Sequence, residues 1–348
     1  SAHIPMFATE YCRDEALRKY WDDYSFPFHQ DGEGSKYYRS TVTNTSKPLA
    51  DASAYNRNQD SFFKELIIRW NDYYRVRPGT GDRVSSGGLK IHFHDSNTHF
   101  RGAENYRRSG VTDAMRIPKD GFFAHQVMWD GWVDTEKERT YICGHWNYSD
   151  TIVKPVYVVS TADKVELFVN GRSLGWGTRS DHFLFTFPRV KWEKGVVEAV
   201  GCNEKGEVLS RSSKETAGEA AMIRLKAITA PDGFKADGAD MALIEVEVTD
   251  NEGRRCPLAN QTIRFELQGE AEWLGGIAKG EEGNYVLSQE LPVECGVNRV
   301  LIRSTKKAGK IRLVASAEGL TGADVNLQTS AFETKNGLSA YISGEHLP

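Results

Sequence analysis

From Tyr141 onward the chain is cut into short runs of β-branched and aromatic residues about a dozen positions apart, and few folds tolerate that texture. Val156 to Ser160, Val165 to Val169, Phe183 to Phe187 and Val196 to Val200 each have the length of a strand and are separated by turn residues. A long helix cannot be built from such pieces, whereas an antiparallel β-sandwich is assembled from them. Asn170-Gly171 directly after Val165-Glu166-Leu167-Phe168-Val169 reads as a tight hairpin turn, because both central positions need a positive φ that Asn and Gly tolerate. A second set starts near Ile223 and includes Leu243 to Thr249, Thr262 to Leu267, Val297 to Ser304 and Lys310 to Ala317, punctuated by Asp250-Asn251-Glu252-Gly253 and Lys307-Ala308-Gly309. The expectation is two consecutive sandwiches, over 136–225 and 226–332, joined near Lys226 to Asp240, with a frayed polar tail over 333–348.

Residues 1–135 have a different period. Ile4-Pro5-Met6-Phe7-Ala8 is a short apolar run that ends in Thr9-Glu10-Tyr11, as a buried strand with an acid at its tip would. Phe63, Leu66, Ile67, Trp70 and Tyr74 recur at helical spacing between polar residues 56–60 and Arg77-Pro78-Gly79. Leu89, Ile91 and Phe93 then alternate with Lys90, His92 and His94 as on a strand, and a helix is expected from Pro118 to about Trp129. At 348 residues the chain has room for two or three domains. Its net charge of −4, without long single-sign runs, argues against nucleic acid and against an anionic membrane surface as partners. No apolar stretch reaches the roughly 18 residues of a spanning helix. Cys12, Cys143, Cys202, Cys256 and Cys295 form no CxxC pair, so neither structural zinc nor a disulfide framework is indicated and buried free thiols are expected.

The chemistry is expected near the N-terminus, since 25 of the 38 aromatics and 7 of the 9 histidines lie in residues 1–150. Rings can pack a core or stack on the apolar face of a ligand. Gly171-Arg172-Ser173-Leu174-Gly175 has the GxSxG spacing but follows a hairpin, whereas a nucleophilic serine needs a strand-to-helix elbow. Gly79-Thr80-Gly81-Asp82-Arg83-Val84 lacks the third glycine of a dinucleotide loop. His92 and His94, one residue apart on a strand and with His99 nearby, could share a metal; the alternative is a polar cleft that binds ligand oxygens. Glu10 is the sharpest candidate: a carboxylate at the C-terminal end of a barrel strand lies where such folds keep catalytic groups, and glycosidases use one carboxylate as nucleophile and another as acid/base.

Ile4-Pro5-Met6-Phe7-Ala8-Thr9-Glu10-Tyr11 resembles the nucleophile segment of glycoside hydrolase family 2. Residues 86–97 are similar to the last barrel strand of that family, and Arg107-Arg108-Ser109-Gly110-Val111, Pro118-Lys119-Asp120 and Met128-Trp129-Asp130-Gly131 to its closing helix region. Gly144-His145-Trp146-Asn147-Tyr148 and residues 165–171 resemble the sandwich that follows the barrel in bacterial β-galactosidase-like members. The resemblance implies α/β plus all-β architecture: the C-terminal part of a (β/α)8 TIM barrel over 1–135, then two immunoglobulin-like β-sandwiches. It implies retaining, exo-acting β-glycosidase chemistry on a terminal β-glycoside of an oligo- or polysaccharide, without cofactor or catalytic metal, with Glu10 as nucleophile and Asp95, Asn97, His99, His94 and Trp129 as substrate contacts. The galactoside is favoured, with glucuronide and mannoside as competitors. The acid/base would reside on an upstream portion of the same enzyme, the expected partner besides carbohydrate and a possible second copy, in a bacterial periplasmic or extracellular setting. Two alternatives stay open, a non-catalytic structural or glycan-binding fragment and a metal-dependent hydrolase using His92 and His94.

Overall fold

Two parallel strands with two helices carry the N-terminal part, in the order β1 (Met6–Tyr11), α1 (Gln59–Asn71), β2 (Ser85–Lys90) and α2 (Asp120–Val133). The computed structural model describes residues 5–12, 14–33, 56–80, 85–96, 108–134, 137–277 and 284–333. Asn97 and His99 lie outside them. Helix α1 starts where the Asn58 side chain accepts the Ser61 N–H at 2.9 Å, and Asp60 and Arg69 complement the charge at its two ends. Of its expected stripe, Phe63, Leu66, Ile67 and Trp70 have no exposed surface, nor does Phe62, while Tyr74 is half-buried beyond the helix end. A π-helical turn over Asp72–Val76 follows, and Gly79 at φ +76° closes the segment. Helix α2 starts two residues later than Pro118, with Lys119 at the cap position, and runs past Trp129 to Val133. A methyl group at Gly121 would overlap Leu66, so this glycine lets α2 close on α1.

Strand β2 is shorter than the alternating pattern suggests. It ends at Lys90, opposite Tyr11, because the backbone beyond it bonds to a different partner. The N–H of His92 donates to Ser109 O at 3.3 Å, that of Thr112 to Phe93 O at 3.0 Å, and that of Asp95 to Thr112 O at 3.0 Å. The regular pairing with β1 thus stops before His92 and His94, and His99, the third residue of the metal alternative, lies outside the described residues. Among the described residues no three His, Cys, Asp or Glu side chains converge as ligands.

The first sandwich pairs one sheet, ordered β3 (Thr140–Ile142), β4 (Val153–Ser160), β8 (Leu184–Lys191), β7 (Thr178–Ser180), with a second, ordered β10 (Val208–Glu215), β9 (Val196–Cys202), β5 (Lys164–Val169), β6 (Arg172–Trp176). Ile142, Val156, Val158, Phe185 and Phe187 from one sheet and Val165, Leu167, Val169, Val197 and Ala199 from the other form a single core with Trp146 and Trp192. Asn170 and Gly171 make the hairpin turn between β5 and β6, at φ 49° and 78°. The other face of the β4 sheet is also covered: Val159, Phe183 and Leu184 pack against Phe63, Ile67 and Trp70 of α1 and Ala124, Val127 and Met128 of α2. Double coverage explains why Val158 and Val159 are both fully buried although a strand sends them to opposite faces. The helices and this sandwich belong to one compact unit, Ser1–Ala217.

The second unit, Gly218–Pro348, holds the second sandwich, with β11 (Met222–Ile228), β13 (Met241–Thr249), β17 (Val297–Ser304) and β15 (Ala271–Gly275) in one sheet and β16 (Glu290–Pro292), β14 (Thr262–Gly269), β18 (Lys310–Ser316) and β19 (Ala323–Gln328) in the other. The strands β12 (Lys235–Ala236) and β20 (Ser330–Ala331) add a short parallel pair. The break falls ahead of the 226–240 segment because β11 pairs with β13 along its whole length, from Met222 opposite Thr249 to Ile228 opposite Leu243.

Candidate active site

Glu10 is exposed near the C-terminal end of β1. Tyr11 is 3% exposed; its ring stacks on Tyr73 at 5.1 Å and meets Tyr74 edge-on at 6.1 Å, behind the strand on the helix side. Strand β1 is not the buried strand expected: Met6, Phe7 and Thr9 are exposed like Glu10, its pairing with β2 shifts register between Ala8 and Tyr11, and only Tyr11 is packed on the helix side. The chain then turns sharply at Cys12, whose φ of 54° is left-handed. Burial raises the Cys12 thiol to about 12, which keeps it protonated beside the acid.

The segment after β1 and the segment after β2 are each fastened by buried ion pairs. Arg57 Nε binds Asp14 Oδ1 at 2.8 Å, and Arg18 Nε binds Asp113 Oδ2 at 2.9 Å. Asp113 Oδ1 also accepts the N–H groups of Met115 and Ile117. Lys119 is buried, and its Nζ donates to Asp95 Oδ1 at 2.8 Å, Ala16 O at 2.6 Å and Arg108 O at 3.0 Å. Gly110 donates its N–H to the same Asp95 oxygen at 2.9 Å, and a methyl group on Gly110 would overlap the His94 and Asp95 backbone.

These contacts correct one expected substrate contact. Asp95 is 1% exposed and turned inward to Lys119, so it braces the site and does not face a sugar hydroxyl. Burial raises its carboxyl to about 7 against the pull of Lys119. Trp129 lies ten residues into α2, roughly 14 Å along the axis from Asp120 at 1.5 Å per residue. It stacks on Trp132 at 5.7 Å and meets Trp70 and Tyr74 edge-on, in a cluster at the far half of the helix. His94 is half-buried on the segment that follows β2, with its pKa lowered by burial and then by Arg116, so the neutral ring is favoured. Glu10 and His94 thus both lie by the C-terminal ends of the two parallel strands.

Sequence reasoning missed a buried network in the same unit. Lys154 of β4, 3% exposed, sits 3.0 Å from Asp22 Oδ2 and 3.2 Å from Asp60 Oδ2, and it donates to Tyr148 Oη at 3.1 Å. Asp22 follows β1 and Asp60 opens α1, so one lysine of the sandwich ties down both. A charged residue inside the strand sequence Val153-Lys154-Pro155-Val156 was the available signal.

Comparison with known proteins bears on the whole chain. Residues 225–326 match the glycoside hydrolase family 2 C-terminal domain 5, and residues 152–210 match a domain of unknown function, DUF4982. A β-glucuronidase of Formosa agariphila is 33% identical over 341 residues, which is 97% of this chain and 32% of that protein. The solved structure of a β-glucuronidase from glycoside hydrolase family 2 superposes with a TM-score of 0.79 at 31% identity, over 98% of this chain and 34% of its own. This chain corresponds to the C-terminal portion of glycoside hydrolase family 2 proteins. The family 2 C-terminal domain covers the second sandwich, and DUF4982 falls on the first. A β-galactosidase of Bacteroides ovatus is also similar, 34% identical over 61% of this family 2 chain and 24% of its own length. The chain spans about a third or less of the length of these three proteins.

Proposed function

We propose that this chain is the nucleophile-bearing portion of a retaining, exo-acting β-glycosidase, with Glu10 as the nucleophile. The observation that supports the reading is an exposed Glu10 next to a Tyr11 buried on the helix side, at the C-terminal end of a parallel strand, and we read the carboxylate as turned to the face opposite the helices. In a (β/α)8 barrel that face is the interior, and strands β1 and β2 with helices α1 and α2 supply two of its βα units. Two strands cannot close a barrel, so an upstream portion provides the remaining strands and the second carboxyl group.

The carboxylate of Glu10 attacks the anomeric carbon and the bond to the leaving oxygen breaks, giving a covalent glycosyl-enzyme. The upstream acid protonates that oxygen and then, as a base, activates the water that releases the sugar. The two carboxyl groups are about 5 to 5.5 Å apart in such enzymes. Of the substrates the resemblance implies, a terminal β-glucuronide is the first to test, since the relative matching 97% of this chain carries that activity in its name, with the β-galactoside second. The first sandwich braces the barrel. Support for this comes from its β4 sheet, which packs against both helices.

The chain alone is expected to hydrolyse no aryl β-glycoside, because a missing general acid removes roughly 10² to 10⁴ in rate. Combined with the upstream portion it regains turnover, a 2-fluoro glycoside labels Glu10, and Glu10→Gln abolishes both. Label on another carboxylate, or turnover by the chain alone, overturns the assignment.

A further inference from the structure

Behind Glu10 the fold holds two polar side chains that the chemistry above does not use. The hydroxyl of Tyr11 lies 3.4 Å from Nε2 of His125, a half-buried residue on α2. The other ring nitrogen, Nδ1, is 2.9 Å from the carbonyl oxygen of Gly121 one turn earlier. A carbonyl only accepts, so Nδ1 must carry the proton, Nε2 is the acceptor, and the Tyr11 O–H donates to it. Burial lowers His125 to about 4, so the ring keeps this neutral form at neutral pH. The Tyr11 ring is held from its other sides by Tyr73 and Tyr74, and the Tyr74 hydroxyl in turn donates to the Gly88 carbonyl of β2. Tyr11 is thereby fixed to both helices and, through Tyr74, to the neighbouring strand.

We propose that Tyr11 and His125 are a positioning pair which, by fastening the end of β1 to α2, sets the direction of the Glu10 carboxylate one residue away. This rests on Glu10 being the nucleophile. The backbone joins the two residues rigidly: a rotation of β1 that moves the Tyr11 hydroxyl must also move the carboxylate, and an error of 1 Å in a reacting group can lower a rate about 10²-fold. A hydrogen bond at the long end of the range restrains that rotation without abolishing it, so the loss expected on deleting it is about tenfold.

The test measures inactivation by a 2-fluoro glycoside in the enzyme assembled from this chain and its upstream portion. Tyr11→Phe, which keeps the ring packing, should slow the inactivation step about tenfold while changing apparent affinity less than twofold. His125→Gln, which keeps an acceptor, should retain more of the rate than His125→Leu when both melt at the same temperature. Nitrogen NMR of the isolated chain should show His125 as the Nδ1–H tautomer, independent of activity. An unchanged rate in Tyr11→Phe with label on Glu10, equal rates for the Gln and Leu variants, or the Nε2–H tautomer overturns the pair and leaves the nucleophile standing. Label on a different carboxylate overturns both.

Discussion

Replacing Lys154 by Met removes the single cation between two buried carboxylates and leaves the size of the side chain nearly unchanged. Asp22 is 1% exposed and Asp60 is 7% exposed, so neither can turn to water when the ammonium is gone. Breaking a buried pair by removing one partner destabilises by about 3 to 5 kcal/mol. At roughly 2.1 cal/mol/K per residue over the 217 residues of the first unit, that lowers its Tm by about 7 to 11 °C. The effect has a pH signature. Burial raises Asp60 to about 6 in the native protein despite Lys154. The fold therefore holds the Asp60 proton more tightly than the unfolded chain, and the stability contributed is present below the unfolded value of 3.8 and lost as pH rises through about 6. Asp22 is opposite in sign: burial pushes it up, but Lys154, His145 and the Tyr148 hydrogen bond outweigh burial and hold it at about 2. Its contribution is present above the unfolded value of 3.8 and lost as pH falls through about 2. In Lys154→Met both carboxyls face burial without their cation, so both bind protons more tightly. The deficit relative to the native chain should be largest at pH 8 and shrink toward pH 5. Thermal unfolding followed by near-ultraviolet circular dichroism at pH 5, 6, 7 and 8 measures it. A deficit under about 1 kcal/mol, or one equal at pH 5 and pH 8, refutes the reasoning.

Lys119→Met should destabilise the same unit by about 3 to 5 kcal/mol in urea unfolding, and adding Asp95→Leu should recover much of the loss, since two apolar groups replace a buried ion pair with little penalty. Gly110→Ala should cost about 3 kcal/mol or more by the same assay, because the added methyl meets the backbone of His94 and Asp95 and neither can move aside as a side chain would. All five cysteines are free and buried, and burial raises the Cys12 thiol to about 12 and the Cys256 thiol to about 11. An aromatic disulfide reagent at pH 8 should therefore modify the native chain slowly and the unfolded chain at once.

What the sequence displays depends on the range of the interaction. Val165 to Val169 and Leu243 to Thr249 are legible as strands because each run packs its own alternate residues, and the Phe63-to-Trp70 stripe is legible for the same reason at helical period. Strand β10, over Val208–Glu215, escapes notice: Ser210, Arg211, Ser212, Ser213 and Lys214 give no apolar period, and the strand is held by backbone pairing to β9. Thiol burial follows from the absence of any ligand spacing, and all five are free. The side of Asp95 could not be read. Its partner Lys119 is 24 residues away, and only the folded strap over 108–119 brings the ammonium under the tip of β2. The helix that carries Trp129 is legible, but its stacking on Trp132 and edge-on contact with Tyr74 are not. The alternation over Leu89 to His94 overstates the strand, because beyond Lys90 pairing passes from β1 to residues 109–112.

Five of the acids that follow the two parallel strands are held by cations. Asp14 is bound by Arg57, Asp22 by Lys154, Asp31 by Arg57 and Ser61, Asp95 by Lys119, and Asp113 by Arg18. Each therefore fastens one segment to another, and a carboxylate held in that way resists leaving its cation to bond a sugar carbon or to hand over a proton. Glu10 differs in position: it is on a strand, exposed, and next to a residue locked against the helices. A retaining mechanism needs a second carboxyl about 5 to 5.5 Å from the first, and the five ion-paired acids have the wrong surroundings for it. The family resemblance assigns that acid to an upstream portion, and complementation is the decisive experiment: if Glu10 is the nucleophile and the acid lies upstream, removing that acid there should abolish turnover while leaving the fold of this chain intact.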